Sequence, residues 1–280
     1  MGFRGGRTHY DDPAYYSYAY RRRRHDVRYY QSLIEGNPKV LEYGVGNGRV
    51  AIALARAGAT VTGMDTSLCM LQDLRQRLAR QPRRVSERVR IRHGDMRRSK
   101  LAERFELVVA PFNTIQHLYT AKDFERFLSR VSEHLAPGAG FVFDFSLPRP
   151  ADLARTSRKE YKSRRFHHPG VDLEVDYFEH SFYDPKSQLL RTKMRFVPVS
   201  GRLPWNVVLT QRQWFPREIE ALLHYRGFGP TRMVADFDPR ASFEEADTIV
   251  VQTRVRPPSK PPKNAASAGK RRVRPPLHEV

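Results

Sequence analysis

The sequence predicts an α/β fold: a doubly wound, mostly parallel sheet with helices on both faces, into which an antiparallel extension is inserted. Three observations carry this. Short apolar runs alternate with helically spaced segments from about Lys39 to Phe145. From Tyr161 the period changes to strict two-residue alternation. The apolar share, 40% of 280 residues, is enough to build a core.

In chain order, Lys39–Tyr43, Thr60–Met64, Val89–Arg92, Phe105–Ala110 and Gly140–Phe145 read as strands. Arg49–Ala57, Ser67–Ala79 and Asp123–His134 have helical spacing. Strands and helices in alternation imply βαβ units and parallel pairing. Gly58 is placed to stop the first helix, and Thr66 or Ser67 to cap the second. Val171, Leu173, Val175 and Tyr177 alternate with Asp172, Glu174 and Asp176, and Thr192, Met194 and Phe196 with Lys193 and Arg195. The turn Asp184-Pro185-Lys186-Ser187 joins these runs into a hairpin, in which Asp176 is expected near Arg195. Pro216–Tyr225 reads as an amphipathic helix ended by Gly227, and Thr248–Thr253 as a last strand.

Charge is concentrated at the ends. The chain carries 50 Lys+Arg against 30 Asp+Glu, a net charge of +20; residues 254–280 account for +7 and residues 1–28 for +4. The segment 255–280 is basic and rich in Pro-Pro pairs and is expected to be disordered, with weak, nonspecific nucleic-acid binding as its expected property. No apolar run reaches the roughly 20 residues of a membrane span, and Met1 to Tyr20 lacks a signal-type apolar stretch, so a cytoplasmic location is expected. The one cysteine, Cys69, excludes a disulfide framework and a cysteine-cluster metal site; no metal is expected, and Cys69 reads as an inert buried thiol.

The segment Glu42-Tyr43-Gly44-Val45-Gly46-Asn47-Gly48 joins a strand to a helix. Glycines there permit a sharp bend and let a ligand approach main-chain N–H groups. Asp65, 17 residues beyond Gly48 at the end of the next strand, is placed to accept ribose hydroxyls. The spacing is GxGxG; the third glycine of a dinucleotide fingerprint would fall at Arg49. Glu42 offers nothing to a pyrophosphate but favours a cationic amino-acid moiety, so the bend suits a zwitterionic, positively charged ligand.

With these pieces in order, the sequence resembles the class I S-adenosylmethionine-dependent methyltransferases. The resemblance runs from about Tyr15 to Arg254 through VLEYGVGNGRVAIALA, VTGMDTSLCML, RIRHGDMR, FELVVAPFNTIQHL and EHLAPGAGFVFDF. The small-molecule enzymes, such as the sugar N,N-dimethyltransferases and glycine N-methyltransferase, are the most similar. The resemblance implies a Rossmann-like, seven-stranded sheet over residues 29–254, an extension at about 155–212 over the active site, and S-adenosylmethionine as cofactor. It implies that Gly44, Gly46 and Gly48 underlie the methionine part with Glu42 beneath, and that Asp65 binds the ribose. Met70, Asp95 and Met96 would meet the adenine, and Phe112 and Asn113 would begin the segment facing the substrate. Residues 1–28 would form a lid, with Tyr16 and Tyr20 over the cofactor. Asn47 and Val45 depart mildly from the family pattern.

Plainer roles stand beside these. Asp95 could cap a turn, Met70 could be core, and the N-terminal tyrosines could belong to a docked helix followed by a solvated arginine face at Arg21–Arg24. Those arginines could instead select an anionic substrate. Trp205, Trp214 and Leu209 could wall the pocket or simply pack the extension. His117 follows the fourth strand at the ligand-binding edge, where it could take a proton from an amine or hold the loop in shape. The activity expected is methyl transfer to a small-molecule acceptor, nitrogen ahead of oxygen or carbon. The alternatives are an RNA or DNA methyltransferase, against which Ala110-Pro111-Phe112-Asn113 lacks the base-amino tetrad, and a non-catalytic cofactor-binding relative.

Overall fold

The computed structural model describes residues 7–154 and 159–257. Most of the segment expected to be disordered, 258–280, lies outside the described residues. In chain order the elements are β1 (Arg7–Thr8), α1 (Pro13–Ala19), α2 (His25–Ser32), β2 (Lys39–Tyr43), α3 (Ala51–Arg56), β3 (Thr60–Asp65), α4 (Leu68–Ala79), α5 (Arg83–Ser86), β4 (Val89–His93), β5 (Phe105–Ala110), a 3-10 turn (Thr114–His117), α6 (Ala121–His134) and β6 (Leu135–Ser146). There follow α7 (Pro150–Leu153), β7 (Tyr161–Lys162), β8 (Phe166–His168), β9 (Leu173–Asp184), β10 (Leu189–Pro198), β11 (Trp205–Arg212), α8 (Pro216–Tyr225), β12 (Arg232–Ala235) and β13 (Thr248–Arg254).

The main sheet has seven strands in the order β12-β13-β6-β5-β2-β3-β4, with β13 antiparallel to both its neighbours and the other pairs parallel. Its strands are apolar on both faces because helices cover both. On β6, Phe141, Phe143 and Phe145 point into the core under α6 and α8, together with Phe124, Phe127 and Trp214. Val142, between them, joins the opposite core with Tyr30, Leu54, Leu71 and Leu74 from α2, α3 and α4. Local capping agrees with the sequence: Ser67 accepts from Met70 N at the start of α4, and Thr120 from Asp123 N at the start of α6. Gly58, at φ 114°, follows α3.

The extension forms a second, six-stranded sheet, β1-β11-β10-β9-β7 with β8 on β9. The expected hairpin is β9–β10, and its register places Arg195 opposite Phe178 and Asp176 opposite Val197, so the two charges share a face two residues apart. Their ion pairs lie elsewhere: Asp176 bonds Arg165 and Lys162, and Arg195 bonds Glu160 while lying over the Phe178 ring. The shorter β7 and the β8 approach bring closer partners than the diagonal across the hairpin. Strands β11 and β12 were not expected from the sequence; WNVVLTQR and RMVA are too short and too irregular in alternation to stand out from loop. The apolar face of this sheet (Val175, Tyr177, Met194, Phe196 and Val207) packs against Tyr15 of α1.

Candidate active site

The carboxyl ends of β2, β3 and β5 open into a cleft of about 1100 Å³, closed on the far side by β10, β11 and the N-terminal segment. It sits where the chain leaves β2 in one direction to β3 and β5 flanks it in the other, the switch point at which open α/β sheets bind ligands. Another cleft of similar volume, about 1100 Å³, opens at the opposite edge around Pro137, Phe228 and Arg256, but it holds neither the glycine bend nor its acids.

The three glycines of the bend have different jobs. All have positive φ: 67° at Gly44, 52° at Gly46 and 82° at Gly48. A Cβ on Gly44 would lie 2.3 Å from Thr114 Oγ1, and one on Gly48 2.2 Å from Leu74 Cδ1. Only at Gly46 is there no atom within 4 Å, because its Cα faces the cleft. Gly48 completes the bend without lining the cleft, and its missing Cβ permits close packing of α4 on the bend.

Glu42 lies under the bend, 2% exposed, with Oε2 lacking any hydrogen-bond partner among the described residues. Burial pushes its carboxyl well above the usual range, against the attraction of Arg49. Asp65 lines the cleft and accepts from Ser67 N at Oδ1 and from Gly46 N at Oδ2, both at 2.8 Å. Burial raises its pKa and these N–H groups pull it back. The Asp65 carboxylate thus ties the tip of β3 to the bend after β2. Asp95 also lines the cleft, but Arg97 grips it with Nε and Nη2, at 3.0 and 2.7 Å, and holds its pKa down. Met70, buried, and Met96, half-buried, line the same end of the cleft. Cys69 is exposed at this rim, not the buried thiol expected, because the first turn of α4 points it outward beside Leu68.

Phe112 and Asn113 are consecutive left-handed residues, at φ 55° and 64°. Phe112 N donates to Asp144 Oδ1 at 2.8 Å, and Ser146 N donates to Asn113 Oδ1 at 2.7 Å. Phe112 lines the cleft; Asn113 is not among the lining residues, and its side chain pins the turn to the end of β6. Asp144, fully buried, also receives Tyr30 OH at 2.7 Å, and burial raises its pKa to about 6.

His117 does reach the cleft, with Nε2 2.7 Å from Tyr10 OH; burial lowers its pKa to about 4. Tyr16 lines the cleft as expected. Tyr20 is not among the lining residues: its hydroxyl is 3.0 Å from His9 Nε2 and its ring packs edge-on against Phe112, centroids 4.7 Å apart. His9 is buried among Tyr10, Tyr15, Tyr16 and Tyr20 and has a pKa lowered to about 4, first by burial and then by His117. Neither His9 nor Tyr10 was singled out in the sequence. Their partners are set by tertiary packing, Tyr10 meeting a histidine 107 residues away.

The N-terminal segment is fastened to the bend by polar contacts. Asn47 Nδ2 donates to Ser17 Oγ at 2.9 Å. Arg49 Nη1 and Nη2 bind both oxygens of the fully buried Asp26, with Arg23 as second partner. Burial alone would raise the Asp26 pKa, but Arg49 outweighs it and holds the carboxyl below its ordinary value. The guanidiniums of Arg23 and Arg49 flank the Phe112 ring at 4.6 and 4.9 Å. Arg23 therefore does not belong to a solvated face. Of the extension residues proposed to wall the cleft, Leu209 does so; Trp214 is in the main core, its Nε1 donating to Ile115 O, and Trp205 stacks on Phe196.

The profile of the methyltransferase domain family matches residues 40–138. An uncharacterised methyltransferase of Geobacillus kaustophilus is 29% identical over 144 residues, 50% of this chain and 61% of the relative. The chain thus aligns with less than two thirds of the length of that curated relative. In fold the chain is similar to the CcbJ methyltransferase of Streptomyces caelestis, with a TM-score of 0.75 at 24% identity over 89% of this chain and 99% of that one. It is also similar to CalS10, an amino pentose methyltransferase from Micromonospora echinaspora solved with S-adenosylmethionine bound, with a TM-score of 0.65 at 21% identity over 86% and 96% of the two chains. Residues 40–138 therefore match the methyltransferase domain family, and the chain as a whole has the fold of these solved methyltransferases.

Proposed function

We propose that this chain transfers a methyl group from S-adenosylmethionine to a small-molecule acceptor, with nitrogen ahead of oxygen or carbon as the atom methylated. The observation that carries this reading is the buried Glu42 carboxyl under the open Gly46 bend, its Oε2 without a hydrogen-bond partner among the described residues, with Asp65 bonded to the same bend. A buried acid without a partner is costly, and a cationic ligand on the bend would offset that cost. The residues therefore fit the family's cofactor. Gly44 and Gly46 would carry its amino-acid part, Glu42 would act on its positive charge from beneath, and Asp65 would receive the ribose hydroxyls. Met70, Met96 and Asp95 would meet the base, with Arg97 fixing the Asp95 carboxylate.

When bound, the cofactor supplies a methyl group already activated on a sulfonium sulfur. The task left to the chain is to orient an acceptor, keep its nitrogen unprotonated and exclude water. The second sheet and the N-terminal segment roof the cleft, which favours a small acceptor over a polynucleotide; the solved amino pentose enzyme of similar fold supports the same preference. Of the N-terminal segment 1–28, the described residues 7–28 are proposed as the cover, through Tyr10 and Tyr16. His117 is neutral above about pH 4 and so can accept a hydrogen bond from an incoming amine, but with so low a pKa it is a weak proton acceptor. Its proposed role is to orient the nitrogen and to hold Tyr10.

Calorimetric titration with S-adenosylmethionine tests the site, and a labelled-methyl screen of metabolite extracts tests the activity. Asp65→Ala is expected to weaken cofactor binding about a hundredfold or more, since it removes two charge-assisted hydrogen bonds of about 1.5–3 kcal/mol each. Unchanged affinity would reject the placement. For His117 the sign of the pH dependence is decisive. With its pKa lowered from 6.5 to about 4, the neutral form prevails throughout the physiological range, so kcat/KM should have no His117-dependent inflection at 6.5. An inflection there that His117→Gln removes would make it a proton acceptor instead; turnover unchanged in His117→Gln would deny it any role.

A further inference from the structure

The cleft has opposite charge on its two walls. On the side of β3 and the loop after β4 the cleft is lined by the carboxylates of Asp65 and Asp95, the latter held by Arg97. On the side of the second sheet, Arg191 and Lys193 line the cleft from β10. The register places Arg191 opposite Thr210 of β11, and Lys193 opposite Val208, which in turn pairs with Thr8 of β1. One face of the sheet therefore presents both cations to the cleft, together with the hydroxyls of Thr8 and Thr210 and the amide of Asn206.

Other cations of this face have partners. Arg195 is bound by Glu160, and Lys162 and Arg165 by Asp176. Among the described residues no carboxylate lies within ion-pair distance of Arg191 or Lys193. Asp184 and Glu160 are the acids that sense them electrostatically, and both are already engaged, Asp184 by Ser187 and Lys186 N and Glu160 by Arg195. Arg191 is half-buried at the mouth, near Tyr119, whose hydroxyl donates to Thr210 O at 3.3 Å. A half-buried guanidinium without a counter-ion in a polar recess is a receptor for an anion.

We propose that Arg191 and Lys193 form an anion subsite, and that the methyl acceptor is an amine that also bears a carboxylate or a phosphate ester. This rests on the proposed function above and assigns its substrate class. The anion anchors the acceptor on the second sheet and leaves its amine directed across the cleft toward His117 and the bend. Field complementarity of this kind also speeds capture of an anionic acceptor and rejects its uncharged analogues.

The test uses the full chain saturated with S-adenosylhomocysteine, with calorimetric binding of two probe pairs: 2-aminoethyl phosphate against ethanolamine, and 4-aminobutyrate against butylamine. At least one anion-bearing probe should bind about tenfold or more tightly than the amine that lacks the anion, as expected for a charge-assisted contact. The pair with the larger ratio identifies phosphate or carboxylate. The double variant Arg191→Gln/Lys193→Gln should erase the ratio while S-adenosylhomocysteine affinity stays within about twofold, the scatter expected of a distant site. Arg202→Gln, on an exposed loop, should retain it. Ratios near one in both pairs, including no binding of any probe, or a preference that survives the double variant, overturn the subsite. Failure of S-adenosylhomocysteine itself to bind would instead reject the proposed function.

Discussion

Gly46→Val is expected to abolish binding of S-adenosylmethionine while leaving the protein folded. The added side chain meets no protein atom within 4 Å of its Cβ position, so the fold can take it without a clash. It would instead occupy the space over the bend that the ligand needs. The residue must also hold a φ of 52°, which a β-branched side chain tolerates poorly, at a cost of about 1–3 kcal/mol. A calorimetric titration should register at least a hundredfold weaker binding, about 2.7 kcal/mol or more, with circular dichroism unchanged and only a modest fall in Tm. Gly44→Val serves as the contrast, because its Cβ would collide with Thr114 Oγ1 at 2.3 Å and damage the fold itself. Affinity within a few-fold of the parent in a folded Gly46→Val protein would place the ligand elsewhere.

The second large effect is on stability. Arg49→Met leaves the fully buried Asp26 carboxylate with only Arg23 at 3.3 Å and Val27 N for partners. Breaking a buried ion pair from one side costs about 3–5 kcal/mol, which for a chain of this size corresponds to a fall in Tm of about 6–20 °C. The loss should appear first as protease sensitivity between α1 and α2, because Arg49 also bonds Arg23 O. The native Asp26 pKa is depressed below its ordinary 3.8, so this contribution is fully present above that pH and is lost only as pH falls through the lower native value. In the variant burial is no longer outweighed by Arg49 and the Asp26 carboxyl rises, so the difference between parent and variant should be largest at pH 8 and narrow as pH falls. A Tm within about 2 °C of the parent, less than 1 kcal/mol on that scale, would mean that the N-terminal segment is not fastened to the bend in solution.

Those two residues mark how far the sequence could be read. Gly46 was legible because a bend of that kind is local: a strand, a GxGxG spacing and a helix within a dozen residues leave few other structures. The same holds for Asp65, whose place at the tip of a strand follows from the apolar period before it. Arg49 was legible only in what it excluded, a third glycine for a dinucleotide. That it reaches back to Asp26 required α2 to be docked, and no local pattern encodes that. Gly48, Asn113 and Tyr20 belonged to the correct segments, yet the missing Cβ of Gly48 makes room for Leu74, the Asn113 side chain ties to Ser146 and the Tyr20 hydroxyl meets His9. Their neighbours come from elsewhere in the chain, so spacing alone could not assign those roles.

By itself the sequence determined the alternating strands and helices from Lys39 to Phe145, the glycine bend with its two acids and the switch of period that marks the extension, all properties of short windows in which backbone geometry and burial repeat. Only the tertiary structure decided which side chains face the cleft. It brought His9 and Tyr10 against Tyr20 and His117, left Glu42 Oε2 buried without a partner among the described residues, and turned Arg191 and Lys193 inward from a strand whose alternation is the same in either orientation. Facing is fixed by which elements pack together across long separations, and the free energy that chooses among those packings is spread over the whole core, not written at the residues concerned.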